Sequence, residues 1–537
     1  MTQTNIDIDV LIVGAGPTGL TLALELASVS TPLSFRIIES STTRSSKSRA
    51  LVLHPRTLEL LARHDIVEDI LSRGTFNEAI RFFVNKKFVY ELDVREIGAG
   101  DTKFRNPLMI SQAETEAVLE RRLRELGVVV ERGVRAENVM YDEDGVTCLL
   151  RSENGKEEEV RCLYIVGCDG AHSIVRKSAG MKFEGGVYPQ DFILADVHMK
   201  WEQRDCLSIF LGQGFIGIFP MKNGIFRLIV NRAQETGKDD EPTLKNFEDV
   251  MKELVPGEME LYDPVWVTRF RLHHRMVDNY RRGRCFVAGD AAHIHSPAGG
   301  QGMNTGMQDA VNLGWKLASA IRGEGDDSFL DSYDIERRKV GLKLLHGTDR
   351  LFEMMATSNP VWLYLRNTLV PWIMPWVMRD PSTRAQRFRF ISQLGIRYRN
   401  SPIVGQASPW KGALRGGDRA PDRELGGLDG DQSVLGLCKG LSFHLLLFSG
   451  IGDAMANDER LEEAAADFLD GGGASVKIHK IVSSPAANSH GNIDQEDKVH
   501  ELYGFNEPGY VLVRPDGYIS FIGLLSTMAE LKMWWKK

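Results

Sequence analysis

Gly14, Gly16 and Gly19 stand in the run Gly14-Ala15-Gly16-Pro17-Thr18-Gly19, and Glu39 follows about twenty residues later. Residues of these types at this spacing can hold a pyrophosphate. Gly14 allows a tight turn, Gly16 lets the anion approach the backbone, and Gly19 lets a helix pack closely on the strand before it. Pro17 and Thr18 open that helix, whose unpaired N–H groups face the anion. A carboxylate at Glu39 then accepts from ribose hydroxyls, so the constellation predicts a dinucleotide site.

A second group occupies residues 285–306, CFVAGDAAHIHSPAGGQGMNTG. Asp290 ends an apolar strand, where its carboxylate suits the sugar-like chain of a flavin nucleotide. The loop beyond carries Pro297, Gly300, Gly302, Met303 and Asn304, and residues without Cβ let such a loop lie flat against a large planar ring. The helix that follows presents its N-terminus to the same place and favours negative charge on that ring. Asp169-Gly170, at the end of CLYIVGCDG, reads on its own equally well as a turn. Beside Asp290 it reads as a further contact to the same nucleotide. The planar ring these groups suit, beside a dinucleotide fold, is an isoalloxazine.

Positioning these groups requires particular elements. Val10 to Val13 reads as a buried strand, Leu20, Leu24 and Ala27 as the apolar face of a helix, and FRIIES (35–40) as the next strand, the opening of an α/β domain. From residue 185 to 271 the pattern changes to alternating strands, which predicts an antiparallel sheet inserted between the second and third motifs. Gly212, Gly214 and Gly217 repeat the glycine spelling of the N-terminal motif, but they lie between apolar runs that turn at Asn223-Gly224. They read as sheet glycines, and no second nucleotide domain is expected. Beyond residue 411 a stretch rich in Gly, Asp and Pro marks a boundary. Strands alternating with an acidic helix, then a hairpin-like pair and a last helix, suggest a small α/β domain there.

At 537 residues the chain is long enough for several domains. Its net charge of -8 offers no basic face, so nucleic acid is not an expected partner. The six cysteines are scattered without ligand-like spacing, and the N-terminus enters a strand directly through Asp7 and Asp9; both point to a reducing, cytoplasmic compartment. The aromatic stretch from Val361 to Asp380 is interrupted by Arg366, Pro371 and Pro375, so no membrane span is expected. It reads as a packed helix or inter-domain contact, with a membrane-surface patch as the alternative.

The Gly14–Gly19, Asp169-Gly170 and Gly289-Asp290 elements, in this order and spacing, resemble the single-component (class A) FAD-dependent aromatic hydroxylases typified by p-hydroxybenzoate and phenol hydroxylases. SRALVLHPRTLELL looks like the segment whose arginine, here Arg49, touches the flavin, and ISQAETEAVLERRL like the helix whose glutamine, here Gln112, contacts FAD. The resemblance implies an α/β fold of the p-hydroxybenzoate hydroxylase type. Its Rossmann-like FAD-binding domain spans 1–184 and 276–411, the inserted antiparallel-sheet substrate domain 185–275, and a thioredoxin-like C-terminal domain 412–537. It also implies hydride from NADPH or NADH, a flavin C4a-hydroperoxide formed with O2, and hydroxylation of a small aromatic substrate, phenolic or polyketide-like. The same fold also supports epoxidation, Baeyer–Villiger-type insertion and flavin oxidase chemistry. Arg227 resembles a catalytic position near flavin and substrate, against an ordinary solvent-facing arginine; His54 is either a ring neighbour or a structural histidine.

No residue identifies itself as the base that a phenolic substrate calls for. Tyr188, His198, His273 and His274 are candidates, each read first as a structural residue, while His293 and His295 read as holding the loop. Ser449-Gly450-Ile451-Gly452 stands where a thioredoxin-like domain would carry its redox pair, so that domain reads as structural or as a subunit contact, compatible with a homodimer.

Overall fold

The Ile8–Val13 strand is the middle of a largely parallel sheet, and Val10, Leu11 and Ile12 are fully buried because both sheet faces are covered. It pairs in parallel with Phe35–Glu39 on one side and Glu157–Gly167 on the other, and the latter pairs in parallel with Cys285–Val287. The register sets Val13 beside Gly167 and Gly167 beside Val287. The strands carrying Gly14, Asp169 and Asp290 therefore end in one row, at the carboxyl edge where α/β sheets bind ligands. The computed structural model describes residues 6–536 apart from 46–49, 95–99, 202, 204, 233–240, 297–298, 358, 427–431, 453, 471–475 and 484–491.

Two helices cross over this edge. The Pro17–Ala27 helix packs on the Gly302–Ile321 helix, and at the crossing a Cβ on Gly306 would come within 3.0 Å of the Gly289 Cα and still closer to the Thr18 hydroxyl. Glycine there lets the first and third motifs touch.

The inserted sheet has the order His293–Ile294, Glu260–Val277, Phe183–Lys200, Ile225–Arg232, Gly214–Pro220, Cys206–Leu211, Ala79–Val84, Lys87–Asp93. Gly212, Gly214 and Gly217 lie at and beside its Cys206–Leu211/Gly214–Pro220 hairpin, as their context indicates. The sheet is wider than residues 185–275. It takes in the 79–93 hairpin through a parallel pairing with Cys206–Leu211, a long-range partnership that local alternation cannot reveal.

A separate five-stranded mixed sheet forms the C-terminal part, in the order Asn492–Asp494, Lys477–Ser483, His444–Phe448, Gly509–Val513, Ile519–Leu524. The segment from Gly405 already hydrogen-bonds to Ser520 and Ile522 along its edge, so the chain joins this unit before residue 412. Five of the six unpaired cysteines are buried, and Cys168 is partly so.

The Pro360–Val377 helix runs unbroken through Pro371 and Pro375 and contacts the inserted sheet, as the inter-domain reading expects, but along one face only. Leu363 and Arg366 are buried on one face, where Arg366 donates to the carbonyls of Gly212 (2.6 Å) and Met355 (2.5 Å), while Trp362, Trp372 and Trp376 are 63%, 79% and 72% exposed. The protein presents a single anchoring face, and the apolar run exceeds what that face can bury. Among the described residues no helix is long and apolar enough to cross a membrane.

Candidate functional site

A cavity of about 1880 Å³ lies where the first sheet's carboxyl edge faces the inserted sheet. It exceeds the ~300–1,000 Å³ of an ordinary single-ligand pocket, so it has room for a large cofactor together with a substrate. Gly16, Pro17, Thr18, Gln112, Asp290, Gly300, Gly302, Met303 and His54 line it. Phe192, Phe215, Phe219, Ile229 and Trp266 of the inserted sheet supply an apolar wall. Arg49 and Pro297 lie outside the described residues.

Gly14, Gly19, Glu39, Asp169 and Asn304 stand behind this lining and shape it. Gly14 has φ +103°, and a Cβ there would collide with the Cys168 carbonyl; one on Gly19 would collide with the Gly14 carbonyl. At Gly16, by contrast, a Cβ would meet nothing within 4 Å, so open space faces the start of the helix. The Glu39 carboxylate accepts from the Ala15 N–H at 2.9 Å and the Ser41 N–H at 2.9 Å. Burial pushes its pKa up, but these hydrogen bonds outweigh burial and hold it below the usual range. Asp169 accepts from the Ile174 N–H through Oδ2 at 2.7 Å, whereas its buried Oδ1 has no hydrogen-bond partner among the described residues. Burial raises the pKa of this group. Nearby, Arg176 donates to the Ala171 and Ala291 carbonyls (2.8 and 2.9 Å), joining the second motif to the third.

His54 and Asn304 clamp the glycine loop. The Nε2–H of His54 donates to the Gly299 carbonyl at 2.8 Å, which leaves Nδ1 as the unprotonated nitrogen, and burial lowers the ring's pKa to about 4. The His54 N–H donates to Asn304 Oδ1, and Asn304 Nδ2 donates to the carbonyls of Val52 (2.8 Å) and Gly300 (2.9 Å). Asn304 thus acts on the loop from behind. His295 donates from Nδ1 to the Ser296 carbonyl, and burial, with His293 adjoining, lowers it to about 4.

Asp309 is a functional residue that sequence reasoning misses. Its Oδ2 accepts from the Gly289 N–H (3.0 Å) and His293 Nε2 (2.8 Å), its Oδ1 from Arg337 Nε (2.6 Å), and Arg337 continues to Tyr398 and the Thr305 carbonyl. The available signal was a set of polar residues in a helix buried on all sides, Asp309, Asn312 and Lys316. His293 does hold the loop, through this carboxylate.

Arg227 is fully buried and faces no solvent: Nε and Nη2 each donate to the Asp196 carboxylate at 2.7 Å, and Nη1 reaches the Ala50 carbonyl at 3.4 Å. It lies behind the cavity wall. Tyr188, His198, His273 and His274 do not line the cavity either; Tyr188 packs edge-on against His274, and His198 stacks on Tyr262.

Residues 7–348 match the FAD binding domain family. The chain is 31% identical to 6-methylpretetramide 4-monooxygenase of Streptomyces rimosus over 535 residues, 97% of this chain and 92% of that protein. It is 29% identical to pentachlorophenol 4-monooxygenase of Sphingobium chlorophenolicum, over 96% and 93% of the two chains. The structure of anhydrotetracycline hydroxylase from Streptomyces rimosus matches with a TM-score of 0.74 at 29% identity, covering 97% of this chain and 96% of that one.

Proposed function

Because the chain belongs to the FAD binding domain family and matches its aromatic monooxygenases along nearly the whole length, we propose that it hydroxylates a bulky, fused-ring phenolic substrate. It is an FAD-dependent monooxygenase that uses NAD(P)H and O2. The residues present fit FAD: a helix N-terminus opens onto free space at Gly16, a buried Asp169 oxygen lacks a hydrogen-bond partner among the described residues, and Asp290 lines the same cavity. When bound, FAD supplies hydride acceptance and oxygen activation.

In this reading, Gly14 to Gly19 and the helix they open bind the pyrophosphate, and Glu39 and Asp169 position the nucleoside and the turn beside it. Asp290 and Gln112 hold the remainder of the cofactor. Gly300, Gly302 and Met303 provide the surface on which the ring rests, and His54 with Asn304 keeps that surface in place. Arg227 ties the inserted sheet to the Ala50 segment as a positioning residue. The apolar wall excludes water, which a reactive oxygen species requires. Its size favours a polycyclic ligand over a single ring, as do the substrates named for two relatives, against the single-ring phenol named for the third. The C-terminal unit is read as a thioredoxin-like domain with a structural role, and the unpaired cysteines support a cytoplasmic location.

The observation that carries this reading is the continuity of one cavity from Gly16 to Trp266. A screen for ligands that accelerate NAD(P)H-driven bleaching of the FAD-loaded chain tests it. Fused-ring phenols should accelerate bleaching more than phenol itself; acceleration by neither class would refute the proposal.

A further inference from the structure

The Pro360–Val377 helix has two unlike sides. Met374 and Met378, just beyond its end, line the large cavity, and Leu363 is buried. Outward, at ~100° per residue, Trp362, Leu365, Leu369, Trp372, Ile373 and Trp376 fall within an arc of about 100°. These six side chains are between 36% and 79% exposed. Three of the chain's nine tryptophans lie on this one strip.

The helical hairpin is basic in an otherwise acidic protein. Residues 360–391 contain five arginines and one acid, Asp380, while the whole chain carries a net charge of -8. Asp380 is engaged as the cap of the Pro381–Ile391 helix, accepting from the Thr383 N–H at 2.9 Å. Arg366 is buried and Arg389 pairs with Asp101, while Arg379 at the turn and Arg387 on the second helix are exposed and display positive charge there. Thr383, Arg384 and Arg387 also line the cavity, which places the basic turn at its border.

We propose that this face docks onto an anionic phospholipid surface, with the tryptophan strip lying in the interfacial layer and the arginines against the headgroups. Tryptophan favours that layer because its ring is apolar and its N–H is polar, and each basic side chain adds attraction to anionic lipid. Docking is a property of the surface and holds whatever the reaction. Taken with the proposed function, it means that the chain collects an apolar polycyclic substrate from lipid and admits it beside Met374 and Met378.

The test uses the full FAD-loaded chain and vesicles of phosphatidylcholine and phosphatidylglycerol in equal parts, with phosphatidylcholine alone as control. Wild type should float with the mixed vesicles about tenfold or more above the control, and salt should weaken the association. The pair W372S/W376S should lose most of this binding at an unchanged melting temperature, and R379E should weaken it. Brominated lipid should quench wild-type tryptophan fluorescence and leave the pair largely unaffected. Equal flotation of wild type and the pair would overturn the proposal, as would no flotation at all, or a wild-type dimer that the pair dissociates. Vesicle binding by a chain without monooxygenase activity would sink the functional reading and leave docking intact.

Discussion

At Gly300 the backbone has φ +62°, and a Cβ would sit 3.2 Å from the Val52 Cβ. The sequence reading assigns this glycine to a flat ring; the structure adds a reason within the chain itself, because the loop crosses Val52 in a left-handed conformation. Gly300→Val should therefore destabilise by about 1–3 kcal/mol, visible as a lower melting temperature and reduced flavin content. Adding Val52→Ala should recover only part, since the contact is relieved and the φ is not. His54→Ala removes the donor to Gly299 and should lower kcat by about tenfold or more while substrate binding changes less, because a misplaced loop disturbs alignment. His54→Gln, which keeps a donor, should recover some of that loss; equal loss in both variants would refute the tether. Asp290→Ala should lower bound FAD per chain without changing the far-ultraviolet circular dichroism of the protein.

The Gly302–Ile321 helix carries the site at its N-terminal end and meets the C-terminal unit from its middle onward. Asn312 donates to Glu336 (2.7 Å) and Asp516 (3.2 Å), and Arg514 donates to Glu336 through Nη1 (2.7 Å) and Nη2 (3.0 Å), all of them buried. Arg514→Met strands the acids it serves and should cost about 3–5 kcal/mol, measured by denaturant unfolding. A loss below 1 kcal/mol would show that the network does not join the two units. Such elements mark the limit of what the sequence discloses. The three strand ends and their glycines were legible because each is a local pattern with a local cause. Asp309, the 79–93 hairpin and the Arg514 network were not, because their partners are brought together only by tertiary pairing. Arg227 was singled out only by its resemblance to a position near flavin and substrate, and nothing local disclosed Asp196 as its partner.

Across the whole molecule, buried imidazoles set an acid limit. Burial lowers His54, His295 and His479 to about 4 and His444 to about 3. Unfolded, each would take up a proton near 6.5, so between about 6.5 and 4 the unfolded chain binds more protons, and stability present above that window is lost as pH falls through it. Asp422, raised to about 6 by burial, works in the opposite direction, as do the burial-raised Glu116, Asp169 and Asp334, whereas the lowered carboxylates of Glu25, Glu39 and Asp309 act with the imidazoles. The melting temperature should fall from pH 6.5 to pH 4.5, and His479→Gln should flatten the slope. The central claim is that one cavity brings FAD and a fused-ring phenol together for oxygen transfer. It is tested most directly by mass spectrometry of product formed from such a phenol by the FAD-loaded chain with NAD(P)H under 18O2. The account predicts one 18O atom in the product; a product whose new oxygen comes entirely from water would contradict it.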